Sequence, residues 1–123
     1  MSRQRAQFQT PGELECLIER YLRVRREVMP SSGRVTVAEF AASLRKSVSY
    51  LERVFRRVLG QTVLEALRSR QLAHAEELLR HTSLSIRDIA QQTGFGTGTS
   101  FHRVFSKRKG LTPERYREGF TKC

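Results

Sequence analysis

The chain has 123 residues, room for one ordinary domain or two very small ones, and too few for a catalytic barrel or a doubly wound sheet. Its 23 Lys and Arg against 12 Asp and Glu give a formal net charge of +11, an imbalance whose usual counterpart is a polyanion, so nucleic acid is the first partner to consider. There is no Trp, Pro is scarce, helix formers dominate and β-branched runs are absent, which predicts an all-α protein.

Residues 1–12 are polar and basic and end in Thr10-Pro11-Gly12, expected to be a disordered basic tail. From Glu13 to about Met29, Leu14, Leu17, Ile18, Tyr21 and Leu22 follow the spacing of one helix face, and Pro30 to Gly33 stop it. Arg20, Arg23, Arg25 and Arg26 then fall mostly on the wet side, as a solvated face or as phosphate contacts. Cys16 reads as a core filler and Cys123 as a frayed terminal thiol, which implies a reducing compartment.

Thr36-Val37-Ala38-Glu39 has the form of a capping box ahead of Val37, Phe40, Ala41 and Leu44. After a three-residue connection, Ser47 caps a helix with Leu51, Val54, Phe55, Val58 and Leu59 inward, and Gly60 ends it. Thr62 to Glu65 is a second capping box, opening the longest helix, from Val63 to about His81. Ser85 opens a short helix with Ile86, Ile89 and Ala90 that Gly94 stops, and Phe101, Val104 and Phe105 mark another that runs to Gly110. Thr112-Pro113 launches the last, through Tyr116 to Phe120. Seven helices and no strand emerge.

The chain also matches itself. Val37, Glu39, Phe40 and Ala41 fall on Ile86, Asp88, Ile89 and Ala90 at an offset of 49. Beyond the turn the offset becomes 50, and Leu51, Arg53, Val54, Phe55, Gly60 and Thr62 fall on Phe101, Arg103, Val104, Phe105, Gly110 and Thr112. One extra residue in the second turn accounts for the shift. Helix patterning alone explains apolar matches, but not Arg-Val-Phe and Gly-x-Thr at one shared offset, so a single unit occurs twice. Each unit is a short helix, a tight turn and a longer helix, the helix-turn-helix layout.

Phe40-Ala41, Ser47-x-x-Tyr50-Leu51-x-Arg53-Val54-Phe55 and Gly60, followed by Ile89-Ala90, Gly94-Phe95, Phe101-x-Arg103-x-Phe105 and Gly110-x-Thr112-Pro113-x-x-Tyr116-Arg117, resemble the DNA-binding domain of the AraC/XylS transcription regulators. The resemblance covers residues 14–118 and implies two helix-turn-helix subdomains joined by a long linker helix. The division expected is a tail over 1–12, a first subdomain over 13–61, a linker helix over 62–82, a second subdomain over 83–120 and a tail over 121–123. Gly96 and Gly98, read as lying at the start of the second reading helix, are expected to soften the second unit.

In a major groove, an Arg reaches guanine O6 and N7 from the N-terminal half of a reading helix. Arg53 and Arg103 are the repeated candidates, with Ser49 and Glu52 beside the first and Gly98, Thr99 and His102 beside the second. Glu52 suits cytosine N4, but it equally suits orienting Arg53 or repelling phosphate. Phosphate contacts are expected from Arg45, Lys46, Arg56 and Arg57, from Lys107, Arg108 and Lys109, and at the helix starts Thr36, Ser85 and Thr112.

The expected function is therefore sequence-specific binding of double-stranded DNA by a cytoplasmic, nucleoid-associated transcription regulator. A linker of about 19 residues spans ~28 Å, so both reading helices fit successive major grooves of an asymmetric site of roughly 20 bp, bound by a monomer unless the chain belongs to a longer dimeric protein. Either activity follows abundance or these residues are the DNA-binding portion of a ligand-sensing protein. RNA polymerase is a further candidate partner, with Glu76-Glu77 or Arg87-Asp88 as the surface, although an ordinary solvated helix is the plainer account of both. The alternative is nonspecific architectural nucleic-acid binding. No stretch reaches the ~18 apolar residues of a membrane span, and no apolar segment follows the N-terminal charges. No nucleophile–base spacing points to catalysis, no Cys/His spacing to a metal, and no cofactor is expected.

Overall fold

The computed structural model describes residues 9–28 and 33–121, with side chains described as far as residue 119. Residues 1–8 of the tail expected over 1–12, residues 30–32 of the stop expected over 30–33, and the terminal Cys123 lie outside them. The described residues form α1 (Pro11–Val28), α2 (Val37–Leu44), α3 (Val48–Leu59), α4 (Val63–His81), α5 (Ile86–Gln92), α6 (Gly98–Lys109) and α7 (Pro113–Thr121). Among them there is no strand.

Order begins sooner than the composition suggested. The Thr10 hydroxyl accepts from the Glu13 N–H at 3.2 Å, while Glu13 accepts from the N–H groups of Gln9 and Thr10 at 2.7 and 3.0 Å. This is a capping box with Pro in the first turn, where a missing N–H costs nothing. The same backbone donors hold the Glu13 carboxyl below its ordinary value. Residues 9–12 therefore belong to the start of α1 rather than to a tail. Cys16 on this helix is exposed and fills no core.

Two hydrophobic cores share one helix. The first gathers Leu14 and Ile18 of α1, Phe40 and Ala41 of α2, Leu51, Val54 and Phe55 of α3, and Val63, Ala66 and Leu67 from the first half of α4. The second takes Leu72, Ala75 and Leu79 from the other half of α4, with Ile89, Ala90, Phe95, Phe101 and Phe105. Aromatic contacts run through each: Tyr21 on Phe40 and Phe40 on Phe55 in one, Phe95, Phe101, Phe105 and Tyr116 in sequence in the other. The linker helix is thus a wall of both cores, not a free spacer.

The repeat is visible in backbone bonds as well as in side chains. Lys46 N–H donates to Ala41 O in the first turn, and Phe95 N–H donates to Ala90 O in the second. The residues just before them, Arg45 (φ 58°) and Gly94 (φ 84°), are both left-handed. Gly96 is the extra residue: it separates Phe95 from the cap Thr97, whereas Lys46 meets its cap Ser47 directly.

Gly94 also joins the units. Its carbonyl accepts from the Val35 N–H at 2.8 Å, and the neighbouring Thr93 carbonyl accepts from the Gln71 amide at 2.8 Å. Val35 and Gln71 are 2% and 1% exposed, so losing either carbonyl partner leaves a buried N–H unsatisfied. A Cβ on Gly94 would stand 2.5 Å from Val35 Cγ2 and 2.9 Å from Gln71 Nε2.

One residue expected on the wet side is inside. Arg25 is 7% exposed, donating through Nε to Glu39 at 2.5 Å and through Nη2 to Gly33 O at 3.0 Å. Arg25 thus ties Gly33, ahead of α2, and Glu39 on α2 to α1. Glu39 is spent on Arg25, so the box at Thr36 is only half formed: Thr36 accepts from Glu39 N–H, with no return bond. Burial pushes the Glu39 carboxyl up, but Arg25 and the adjacent Tyr21 hydroxyl outweigh it and hold the group below its ordinary value.

Two outcomes follow from these contacts. Gly94→Ala combines a left-handed Cβ penalty with a clash against Val35 and should cost about 2–4 kcal/mol in urea unfolding. Gly60→Ala, with open space around its Cβ, should cost only about 1–2 kcal/mol; equal losses would remove the packing role of Gly94. A depressed carboxylate stabilises above its unfolded pKa and loses that stabilisation as pH falls through the folded value. Glu39→Gln should therefore cost about 1–3 kcal/mol at pH 7, with the gap to wild type closing below about pH 4.3; a gap constant down to acid unfolding would contradict the pairing.

Candidate nucleic-acid interface

α3 is built to show two faces. Leu51, Val54 and Phe55 are buried, while Ser49, Arg53, Arg56 and Arg57 are exposed. The Ser47 hydroxyl accepts from Tyr50 N–H at 3.0 Å and fixes the start of the helix. Arg56 and Arg57 in the last turn complement the negative end of the helix dipole. Glu52, Arg53, Arg56 and Arg57 line one open concavity. The Tyr50 ring stands between two of the predicted DNA contacts, with Lys46 Nζ 5.3 Å and Arg53 Cζ 5.9 Å from its centroid. These cation–π contacts give both cations a preferred place before any ligand arrives. Sequence reasoning quoted Tyr50 without giving it a task; its position three residues before Arg53 and four after Lys46 carried the signal.

α6 repeats the design with other residues. Thr97 is its cap, accepting from Ser100 N–H at 3.1 Å. The expectation that Gly96 and Gly98 weaken this helix needs correction: Gly96 (φ 90°) precedes the cap in a backbone that glycine adopts freely, and Gly98 is the first helical residue. Phe101 and Phe105 are buried, while Thr99, His102, Arg103 and Lys107 are exposed and Gly98 is half-buried. The faces of α3 and α6 turned away from the cores are therefore both exposed, and both hold an Arg at the repeated position.

Several predicted contacts have partners inside the protein. Glu52 Oε1 accepts from Val63 N–H at 3.1 Å, capping the first residue of α4, so the structure gives this carboxylate a scaffold task instead of a free hand toward cytosine. His102 holds the equivalent place, with Nε2 3.7 Å from Glu114 Oε1 on α7. The difference has a chemical reason. The residue matching Val63 is Pro113, which has no N–H to cap. Lys109 is paired with Glu76 on α4, and Arg108 Nη1 lies 3.5 Å from Ser69 Oγ, so these two phosphate candidates point back to the linker helix.

Glu76 also accepts from the Tyr116 hydroxyl at 3.4 Å, so of the Glu76-Glu77 pair expected as a protein-partner surface, Glu76 is committed within the fold. Arg45, Lys46, Arg56, Arg57 and Lys107 are exposed, as are Thr36 and Ser85, while Thr112 is half-buried. The hydroxyls of Thr36, Ser85 and Thr112 accept from the third backbone N–H of α2, α5 and α7, so any phosphate contact there would fall to backbone donors. Among the described residues no group of His, Cys, Asp and Glu could hold a metal ion, and no helix is long and apolar enough to cross a membrane.

A family model described as a helix-turn-helix domain matches residues 40–119, spanning both turns and both α3 and α6. The chain belongs to the AraC-type helix-turn-helix family of transcription regulators. This is a DNA-binding family, not an enzyme family. The chain is 31% identical to the HTH-type transcriptional activator RhaR of Escherichia coli (strain K12), over 86% of its own length and 44% of that protein. It thus spans less than half the length of the curated relatives it matches. Among solved structures it is similar to the C-terminal domain of the response regulator yesN of Fusobacterium nucleatum, with TM-score 0.69, 28% identity, and coverage of 85% and 97% of the two chains. The C-terminal domain of AraT, a response regulator of Geobacillus stearothermophilus, gives TM-score 0.69 and 27% identity over 93% and 88%. The DNA-binding domain of AdpA, solved with a target DNA, shares the fold at TM-score 0.68 and 22% identity over 84% and 91%.

Within this AraC-type domain, the Glu52 and His102 places are predicted to differ in what they stabilise. Glu52→Ala uncaps Val63 N–H and should cost about 1 kcal/mol in urea unfolding, whereas His102→Ala, an exposed side chain, should stay within about 0.5 kcal/mol of wild type. Equal effects would contradict the capping role.

Proposed function

We propose that the chain binds double-stranded DNA sequence-specifically as a monomer, with α3 and α6 in successive major grooves of an asymmetric site of roughly 20 bp. The observation that carries this reading is the pairing of two exposed basic faces, each with an Arg at the repeated place, on units locked together at Gly94 and α4. Arg53 and Arg103 read guanines, with Ser49 near the first and Thr99 and His102 near the second. Arg45, Lys46, Arg56, Arg57 and Lys107 neutralise phosphates, and Gly98, Thr36, Ser85 and Thr112 offer backbone donors at helix starts. Glu52 acts by holding α4 against α3 and by excluding alternatives at its edge of the groove. Five to seven phosphate contacts correspond to a log–log salt slope of roughly −5 to −6.

The two units over residues 13–61 and 83–120, with the linker helix over 62–82, then act as one reading head. In this reading the chain serves a transcription regulator at the nucleoid, and Arg87-Asp88 at the exposed start of α5 is the surface offered to RNA polymerase. Stiff units on straight duplex reach both grooves only if the DNA bends toward them.

Selection of bound sequences from a random duplex pool tests this. The expected result is two different short boxes about one helical turn apart, with Arg53→Ala relaxing preference in one and Arg103→Ala in the other. A single box would refute simultaneous reading, and enrichment of no sequence would favour architectural binding instead.

A further inference from the structure

Three arginines converge where the two units meet, and only one of them has been given a task. Arg68, in the middle of α4, is half-buried with its guanidinium 5.2 Å over the Phe95 ring and Nη1 3.2 Å from Gln71 Oε1. Arg108, from the last turn of α6, reaches Ser69 on the same stretch of α4. Arg34 comes from the first unit. Its backbone nitrogen is 3.3 Å from where a Cβ of Gly96 would stand, two residues ahead of the first residue of α6, and its neighbour Val35 donates to Gly94 O.

Among the described residues no carboxylate pairs with any of the three. Acids on α1, α2 and α4 are engaged elsewhere: Glu39 holds Arg25, Glu19 holds Arg70, Glu76 holds Lys109 and Glu65 closes the cap at Thr62. Burial and the charges of Arg34 and Arg108 all press the Arg68 guanidinium below its ordinary value, with no acid named among the causes. A protein that gathers three guanidinium groups, one of them partly desolvated, without an acid among them carries a local cost that an arriving anion would relieve.

The planar guanidinium suits phosphate oxygens, which it meets with two parallel donors. Resting on the reading proposed above, a duplex gripped by α3 on one side of the joint and by α6 on the other carries its sugar–phosphate backbone past the joint itself. We propose that Arg34, Arg68 and Arg108 form a phosphate clamp that holds the DNA backbone between the two boxes, a third anchor that reads no bases. Arg68 is its fixed centre, braced by Phe95 and Gln71, and Arg34 and Arg108 close on it from the two units. The clamp adds affinity only when both units are on the same duplex, so it favours two-box sites over single boxes without changing either box.

The test uses wild-type protein and a duplex bearing both selected boxes, with single phosphates replaced by neutral methylphosphonates along the spacer. Neutralising one to three adjacent spacer phosphates should weaken binding about 3–10-fold. Arg34→Gln and Arg108→Gln should each weaken binding to the unmodified duplex by a similar factor, reduce the salt slope by about 1 and leave the preference in both boxes unchanged. On the modified duplex the same variants should lose little further. Spacer phosphates that are indifferent in wild type, while those flanking the boxes matter, would overturn the clamp and leave two-box reading standing. A shift of base preference in Arg34→Gln would overturn it as a non-reading anchor. Failure of wild type to bind any duplex would remove the underlying reading together with the clamp.

Discussion

Everything this protein can do to a duplex depends on one joint, where Gly94 and Thr93 of the second unit meet Val35 and Gln71 of the first unit and the linker helix. Two backbone carbonyls accept from buried donors, and a side chain at Gly94 would clash with Val35 and Gln71. Such a contact has one low-energy arrangement, because shifting it orphans polar groups and opens packed space at once. α4 adds to this by placing Leu67 in one core and Leu72 in the other. Rotation of one unit against the other would have to tear both. The separation of α3 and α6 is therefore a property of the fold and not of a flexible tether.

The two units keep the scaffold of a repeat and spend its freedom on their surfaces. Left-handed Arg45 and Gly94 turn the chain identically, yet Lys46 is exposed where Phe95 is buried. The inserted Gly96 lets the second turn lie against Arg34. Glu52 is needed under Val63 and has no counterpart above Pro113, where His102 is free to differ. In the first unit Tyr50 braces Arg53, while the matching Ser100 is a small buried residue in the first turn of α6.

The helices were legible because the forces that set them are local. Apolar spacing, N-cap hydroxyls and stop glycines act within four residues, and Ser47, Thr62, Ser85, Gly60 and Gly110 do what their types suggest. The repeat exposed the layout of the units, including the extra residue in the second turn. Illegible were the choices of partner between distant residues. Arg25 is spaced like a wet residue and is buried on Glu39, a contact 14 positions away; Glu39 has the spacing of a capping box and abandons half of it. Lys109 belongs by composition to a basic patch, but Glu76 on α4 draws it back. Thr10-Pro11 closes a polar, basic stretch and resembles the end of a tail, although Glu13 three residues on completes a capping box with Thr10. The reading faces were legible as faces; the joint was not, since nothing in a linear pattern reveals that Gly94 must accept Val35.

The central claim is that a rigid joint, not a tether, sets the distance between the two reading helices. Its most direct measure is the affinity of the protein for its two-box duplex as the spacer is lengthened by 5 bp, half a turn of B-DNA, which moves one box to the opposite face. A rigid joint predicts that affinity falls to that of a single box. Affinity that survives the insertion undiminished would mean that the two units move independently, and the account would be contradicted.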